Sequence, residues 1–267
     1  MITVLANIDA IFRKELQGYF KSPLSYIIAG FFWILTAIFL LQTAQFVIEQ
    51  AAQADLGRQM GQGSGAPIDV PTIVLQNFLS VMGSILLFIL PVLSMNLYTE
   101  ERRRGTLELL ATSPITNWAV AVGKLLAVLT FVVTLVLPIA LLELFMLGAA
   151  KPAMPLPMFL VGHLAIILLA AAVLSLGMFI SSLNDSAIVA AFITFVLVLL
   201  LWILDVLAQV AGGPVGEALK HLSLLKHYTS LSQGVLSSSS LVLFVSYVGL
   251  GLFLTAQSID LLRFQQS

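Results

Sequence analysis

Apolar residues gather in six long runs that lack the alternation of a strand: about Tyr26 to Val47, Thr72 to Leu97, Leu125 to Leu147, Met158 to Leu183, Ala187 to Leu207 and Leu241 to Leu262. About 20 helical residues at 1.5 Å rise cross a ~30 Å hydrocarbon core, so each run predicts a transmembrane helix. Continuous rather than alternating runs favour a helical bundle over a barrel. Ahead of the first run, Val4, Leu5, Ile8, Ile11, Phe12, Leu16, Tyr19 and Phe20 recur at helical spacing, with Asp9, Arg13, Lys14, Gln17 and Lys21 mostly opposite. This pattern predicts an interfacial helix over residues 1–24, broken by Ser22-Pro23, with its basic side toward anionic headgroups and its apolar side in acyl chains. A passive anchor and a force-transmitting elbow both fit it. Nothing before the first run has the small-residue site of a cleaved signal.

Composition removes the alternatives. Of 267 residues, 60% are hydrophobic and 9% charged, against roughly 45–50% and 25% in soluble domains, so a water-soluble fold is excluded. A formal net charge of -1 offers no field for nucleic acid, and the lack of cysteine removes disulfides, thiolate metal sites and thiol nucleophiles. No G-x-x-x-x-G-K-[ST] occurs, since Gly123-Lys124 lacks both the earlier glycine and the following hydroxyl, and neither G-x-S-x-G nor H-E-x-x-H is present. The sequence therefore assigns no catalytic residue, no metal ligand and no nucleotide site. The expected fold is all-α and polytopic, a single domain over residues 1–267.

Lys and Arg orient it. Arg13, Lys14, Lys21, Arg102, Arg103, Arg104, Lys124 and Arg263 fall on one set of segments; Arg58, Lys151, Lys220 and Lys226 fall on the other. Eight against four puts both termini, the loop after span two and the turn at Asn184, Asp185 and Ser186 in the cytoplasm of a cell membrane. That turn reads as a cap for span five. Ile48 to Pro71 is then external, with Gly61 to Pro67 as a flexible connection.

The loop over residues 99–118 is more patterned than a connector. Five charges from Glu100 to Arg104 leave the bilayer, Gly105 permits a bend, Thr106 to Ala111 can present Leu107, Leu110 and Ala111 on one side, and Ser113-Pro114 ends the turn. A short, partly apolar helix just outside the membrane suits docking into a groove of a soluble protein.

Glu100 to Ala127 (EERRRGTLELLATSPITNWAVAVGKLLA) resembles the signature of ABC-2 type transporter permeases, in particular the gliding-motility-associated subgroup. Arg13 to Ile27 (RKELQGYFKSPLSYI) and His221 to Thr255 are similar to the same subgroup in the same order. The resemblance implies six-helix subunits that pair with a second permease, identical or related, and bind two cytoplasmic ATPases, in which ATP and magnesium reside. It places a coupling role on Glu100, Glu101, Gly105, Thr106, Leu107, Glu108, Leu110 and Pro114. It also implies short re-entrant helices in the external segment 208–240, where interfacial helices with Lys220 and Lys226 snorkelling fit equally well on physics alone.

Glu143, His163 and Asp205 fall in or at the ends of spans, all toward the outer leaflet, where an ionisable group is costly. A shared polar cluster that shapes an exit path or pairs with Lys220 or Lys226 is one expectation; separate interfacial solvation is the other. Pro91 and Pro138 should kink spans two and three, as hinges or as packing features. The expected function is the membrane subunit of an ATP-driven transporter for an amphiphilic or lipid-linked cargo. A scaffold that tethers ATPases and an ion-coupled carrier using Glu143 and Asp205 are the alternatives.

Overall fold

The computed structural model describes residues 2–61, 68–106 and 116–264. All regular structure there is helical: α1 (Ile2–Lys21), α2 (Pro23–Gln59), α3 (Val70–Ser94), α4 (Thr99–Arg103), α5 (Asn117–Gly148), α6 (Leu156–Leu183), α7 (Ala187–Ala211), α8 (Gly213–Leu222), α9 (Leu224–Ser232) and α10 (Ser238–Phe264). Six of them, α2, α3, α5, α6, α7 and α10, are long and apolar enough to cross a membrane. The chain is an all-α, multi-pass membrane protein.

Burial separates the six. In the most apolar window of each, α6 is 78% and α3 61% buried, whereas α2 and α10 are 28% and α7 17%. The core is thus built around α3 and α6, with α5 against them, while α2, α7 and α10 turn apolar side chains such as Phe31, Ile34, Phe192 and Phe253 outward. In a bilayer an apolar outward face is solvated by lipid, so these faces carry no penalty.

Helix limits differ from the hydropathy runs in two informative places. α2 continues for 37 residues, about 55 Å, so its last turns stand beyond a ~30 Å core and carry Glu49, Asp55 and Arg58. Residues 62–67, most of the expected flexible connection, lie outside the described residues. α5 begins at Asn117, eight positions before Leu125, and so takes Lys124 out of the loop and onto a helix. Pro91 and Pro138 sit inside α3 and α5, which continue through them as helices.

α1 ends at Lys21 and Ser22 turns the chain in an extended conformation into Pro23, the first residue of α2. Its apolar side is not given to acyl chains alone. Tyr19 stacks on Phe131 of α5 at 5.2 Å, and the Tyr19 hydroxyl donates to the Leu93 carbonyl at 3.2 Å. Gly123 permits this crossing, because a Cβ there would stand 2.9 Å from Ile11 and 3.1 Å from the Ile8 carbonyl.

Beyond α7 the chain forms two short helices with different environments. α8 leaves Val215 and Leu222 exposed, while α9 buries Leu224, Tyr228 and Leu231. The Tyr228 hydroxyl donates to the carbonyl of Leu79, nine residues or about 14 Å along α3. Its ring occupies the space over Gly83 and lies 5.9 Å from Trp202. α9 is thus packed into the bundle, whereas α8 lies on its surface. Replacing Gly83 by Ala should drive a methyl to about 2.5 Å from the Tyr228 ring and cost about 1–3 kcal/mol. Thermal unfolding in detergent should show a lowered Tm for Gly83→Ala, with recovery when Tyr228→Leu is added.

Candidate functional site

The segment that leaves α3 is held by hydrogen bonds at each step. Ser181 of α6 accepts from the Tyr98 and Thr99 backbone N–H groups at 2.8 and 3.1 Å, and donates to the Met95 carbonyl at 3.0 Å. That uses both acceptor sites and the single donor of a hydroxyl. α4 then runs for five residues to Arg103, and after the C-cap Arg104 comes Gly105, whose φ of +69° favours glycine at such a reversal. Thr106 closes the turn by donating to the Glu101 carbonyl at 3.2 Å.

Charges on α4 go to three partners. Glu100 pairs with Arg104 one turn on, an exposed contact of the kind worth about 0–1 kcal/mol. Arg102 donates to the Asp185 carboxylate at 2.7 Å and to the Ser182 carbonyl at 2.8 Å, joining α4 to the turn after α6. Glu101 accepts from Lys124 at 2.6 Å. The Lys124 side chain is only 2% exposed, and its ammonium also donates to Glu15 of α1 at 3.2 Å and to the Leu97 carbonyl at 2.7 Å, 4.9 Å above the Tyr98 ring. Three N–H groups thus find three acceptors, the condition for burying an ammonium. Burial, reinforced by the neighbouring Glu15 and Glu101 carboxylates, pushes the Tyr19 phenol up, so it stays a neutral donor.

Nearby, Asn117 at the start of α5 donates to Asp260 of α10 at 2.6 Å, and Ser182 meets Ser258 at 2.5 Å. The root of this loop is therefore fixed to α1, α5 and α6, and the helices around it are fixed to α10. Beside the root a polar cleft of about 360 Å³ opens between Lys14, Glu15, Asn96, Glu100 and Arg104. Of the residues to which the family resemblance gives a coupling role, Glu100, Glu101, Gly105 and Thr106 stand in this arrangement. Leu107, Glu108, Leu110 and Pro114 lie outside the described residues.

At the other end of the bundle, Glu143 of α5 and His163 of α6 meet at 3.1 Å, with the carboxylate fully buried. Asp205 does not join them. It accepts from Gln209 one turn further along α7, at 3.2 Å in an exposed position. Lys220 faces Glu217 in α8 instead of either acid. Of the three residues from which a polar cluster was expected, two meet and Asp205 stays apart, because α5 and α6 are in contact while Asp205 lies in an exposed position on α7.

Residues 10–267 match the family model described as ABC-2 family transporter protein. The chain belongs to this family. No curated protein matches it. The family is a permease component of transporters, and membership implies association with ABC ATPase subunits.

In this ABC-2 family protein the residues that hold the loop were the least visible in sequence. Lys124 counts there as one more loop charge, yet it organises the root. Glu15 is one polar residue of an amphipathic helix, and Ser181 is one hydroxyl in an apolar span. The turn Asn184 to Ser186, read as the cap of span five, does supply the N-cap at Ser186, though without a side-chain cap bond, and the Asp185 carboxylate is committed to Arg102. The Gly123-Lys124 pair was the available signal, a close-approach residue beside a charge. Removing one partner of a buried ion pair costs about 3–5 kcal/mol. Lys124→Met should therefore lower stability on that scale by leaving two carboxylates face to face. Glu15→Gln and Glu101→Gln added together should restore most of the loss in detergent unfolding.

Proposed function

We propose that this chain is the membrane-spanning permease subunit of an ATP-driven transporter, and that the loop rooted at α4 carries work from a separate cytoplasmic ATPase into the membrane helices. The observation behind it is the Glu101–Lys124–Glu15 tie, reinforced by Arg102 on Asp185. A displacement applied past Gly105 is delivered at once to α1, α5 and α6, because the root has no slack in which to absorb it. Glu100, Glu101, Gly105 and Thr106 form the stiff base. Leu107, Glu108, Leu110 and Pro114 supply the docking surface, with an apolar side to enter a groove and flanking charges to set register.

ATP and magnesium then belong to the partner ATPases. A second permease, identical or related, completes the pathway, and the likeness of Arg13 to Ile27 and Glu100 to Ala127 to gliding-motility-associated permeases supports a place in that subgroup. The charge distribution of the loops supports both termini in the cytoplasm of a cell membrane, α8 and α9 outside, and α1 in the inner headgroup layer. Outward-facing apolar helices suit an amphiphilic or lipid-linked cargo that is exported or extracted from the bilayer. A scaffold that tethers ATPases without moving cargo is the competing reading.

Two measurements decide these points. In the purified complex, Leu107→Ala with Glu108→Ala should abolish cargo-stimulated ATP hydrolysis while the ATPase still co-purifies; loss of co-purification with unchanged specific ATPase activity would favour the scaffold. The chain has no native cysteine, so single-cysteine variants report sidedness directly. In intact cells Thr106→Cys should resist a membrane-impermeant maleimide and Arg58→Cys should react, and the reverse pattern would overturn the orientation.

A further inference from the structure

One imidazole is buried where α9 meets α10. His227 is 4% exposed, and its Nδ1 lies 2.9 Å from the hydroxyl of Ser240, itself fully buried near the start of α10. Ser240 in turn meets the Ser237 hydroxyl at 2.7 Å, and the Ser237 oxygen also accepts from the Ser240 backbone N–H at 3.2 Å. A hydroxyl can donate or accept, so this short chain serves Nδ1 in either role. The other nitrogen is placed differently. Nε2 is buried and has no hydrogen-bond partner among the described residues. The His221 carbonyl lies near enough to favour a proton on the ring, yet outside hydrogen-bonding geometry. A neutral imidazole with its hydrogen on Nδ1 leaves only a bare lone pair at Nε2. A protonated one needs two acceptors, and the fold supplies one; a charged N–H left without a partner costs more than a neutral acceptor does.

No carboxylate compensates. α9 packs on α3, α6, α7 and α10. α3 contains no ionisable residue, α6 contains His163, which is engaged with Glu143 of α5, and α7 contains Asp205, which is exposed and bonded to Gln209. On α10, the Tyr247 hydroxyl donates to the Leu222 carbonyl, while Asp260 and Arg263 stand at least 20 residues, or about 30 Å, beyond Ser240. In α8, Glu217 faces Lys220, and the Tyr228 hydroxyl of α9 is spent on Leu79. The remaining groups beside the ring, Lys226 and His221, carry or acquire positive charge. Burial chiefly, with Lys226 and His221 adding to it, holds the His227 imidazole below its usual range.

We propose that His227 is an acid-sensitive latch: with the ring neutral α9 stays packed in the bundle, and with the ring protonated α9 withdraws, lifting Tyr228 from Gly83 and Leu79 of α3. No residue of α9 is exposed, so the ring has no open side to which it can swing. Water reaches Nε2 only when the helix itself shifts, and Tyr228, the next residue, moves with it. The open form binds a proton that the closed form excludes. Its population therefore grows as pH falls below the ordinary imidazole range, by up to about tenfold between pH 7.5 and 5.5 for one proton. Neither the coupling role nor the membrane orientation enters this reading.

Hydrogen exchange of the full-length protein in phosphatidylcholine nanodiscs, with labelling times scaled for the intrinsic rate at each pH, measures the opening. Protection of peptide 224–232 should fall severalfold from pH 7.5 to 5.5, to a limit of about tenfold, with α6 unchanged. His227→Gln should show equal protection at both pH values, because a carboxamide can bond Ser240 and takes up no proton, whereas His221→Gln should keep the fall. Unchanged protection in the unaltered protein, a fall shared by α6, or a fall that persists in His227→Gln would overturn the proposal. Where His227→Gln frees α9 already at pH 7.5, the 15N-histidine resonances of the unaltered protein decide, since the chain has three histidines. Proton uptake by His227 at a lower pH than by the exposed His221 supports the latch; uptake at the same or a higher pH sinks it.

Discussion

An ammonium group leaves water only when each of its N–H bonds finds an acceptor, and Lys124 satisfies that condition with groups from three separate parts of the chain. Glu15 comes from α1, Glu101 from α4 and the Leu97 carbonyl from the end of α3. The requirement works in both directions. The lysine is tolerated inside the bundle because these acceptors converge, and the acceptors are held together because the lysine is there. Gly123 makes the convergence sterically possible by letting α1 lie against α5. What a membrane helix would ordinarily expel to the headgroup layer becomes the point at which an amphipathic helix and a loop are joined to the bundle.

The rest of the molecule distributes that constraint. Ser181 saturates its hydroxyl on the backbone that follows α3, Arg102 reaches Asp185 beyond α6, and Asn117 reaches Asp260 of α10. Polar contacts are thus concentrated at one end of a bundle whose middle is apolar. Packed side chains hold α3, α5 and α6 together there, while α2, α7 and α10 keep broad apolar faces free for lipid or a second subunit. At the opposite end, Tyr228, His227 with Ser240, and the Glu143–His163 pair are buried polar groups on α9, on α10 and between α5 and α6. A loop root tied by ion pairs at one end and a buried carboxyl–imidazole pair with the inserted Tyr228 at the other give the two ends of the bundle different polar interiors.

Much of the architecture was legible because hydrophobicity in a bilayer is a one-dimensional signal. Six runs of sufficient length could hardly be anything but six crossings, and the period of Val4 to Phe20 marked an amphipathic helix before any contact was known. The patterned charges after span two located the loop. Sequence could not tell whether Tyr228 lies on the surface or inside the bundle, because either place gives the same hydropathy; its hydrogen bond to Leu79 comes from the folded chain alone. Nor could it separate Asp205 from Glu143 and His163, since equal depth along three helices says nothing of which faces meet.

The chain by itself determined its solvent, its number of crossings and the family signature, since these follow from composition, run length and local motifs. Tertiary structure alone decided that Lys124 is an internal anchor, that Glu143 finds His163 while Asp205 faces outward, and that Asp185 pairs with Arg102. The pairs behind those outcomes are between 20 and 109 positions apart in the chain and are brought within about 3 Å of each other. Electrostatic pairing falls off over a few ångströms, and distance along the sequence does not measure it.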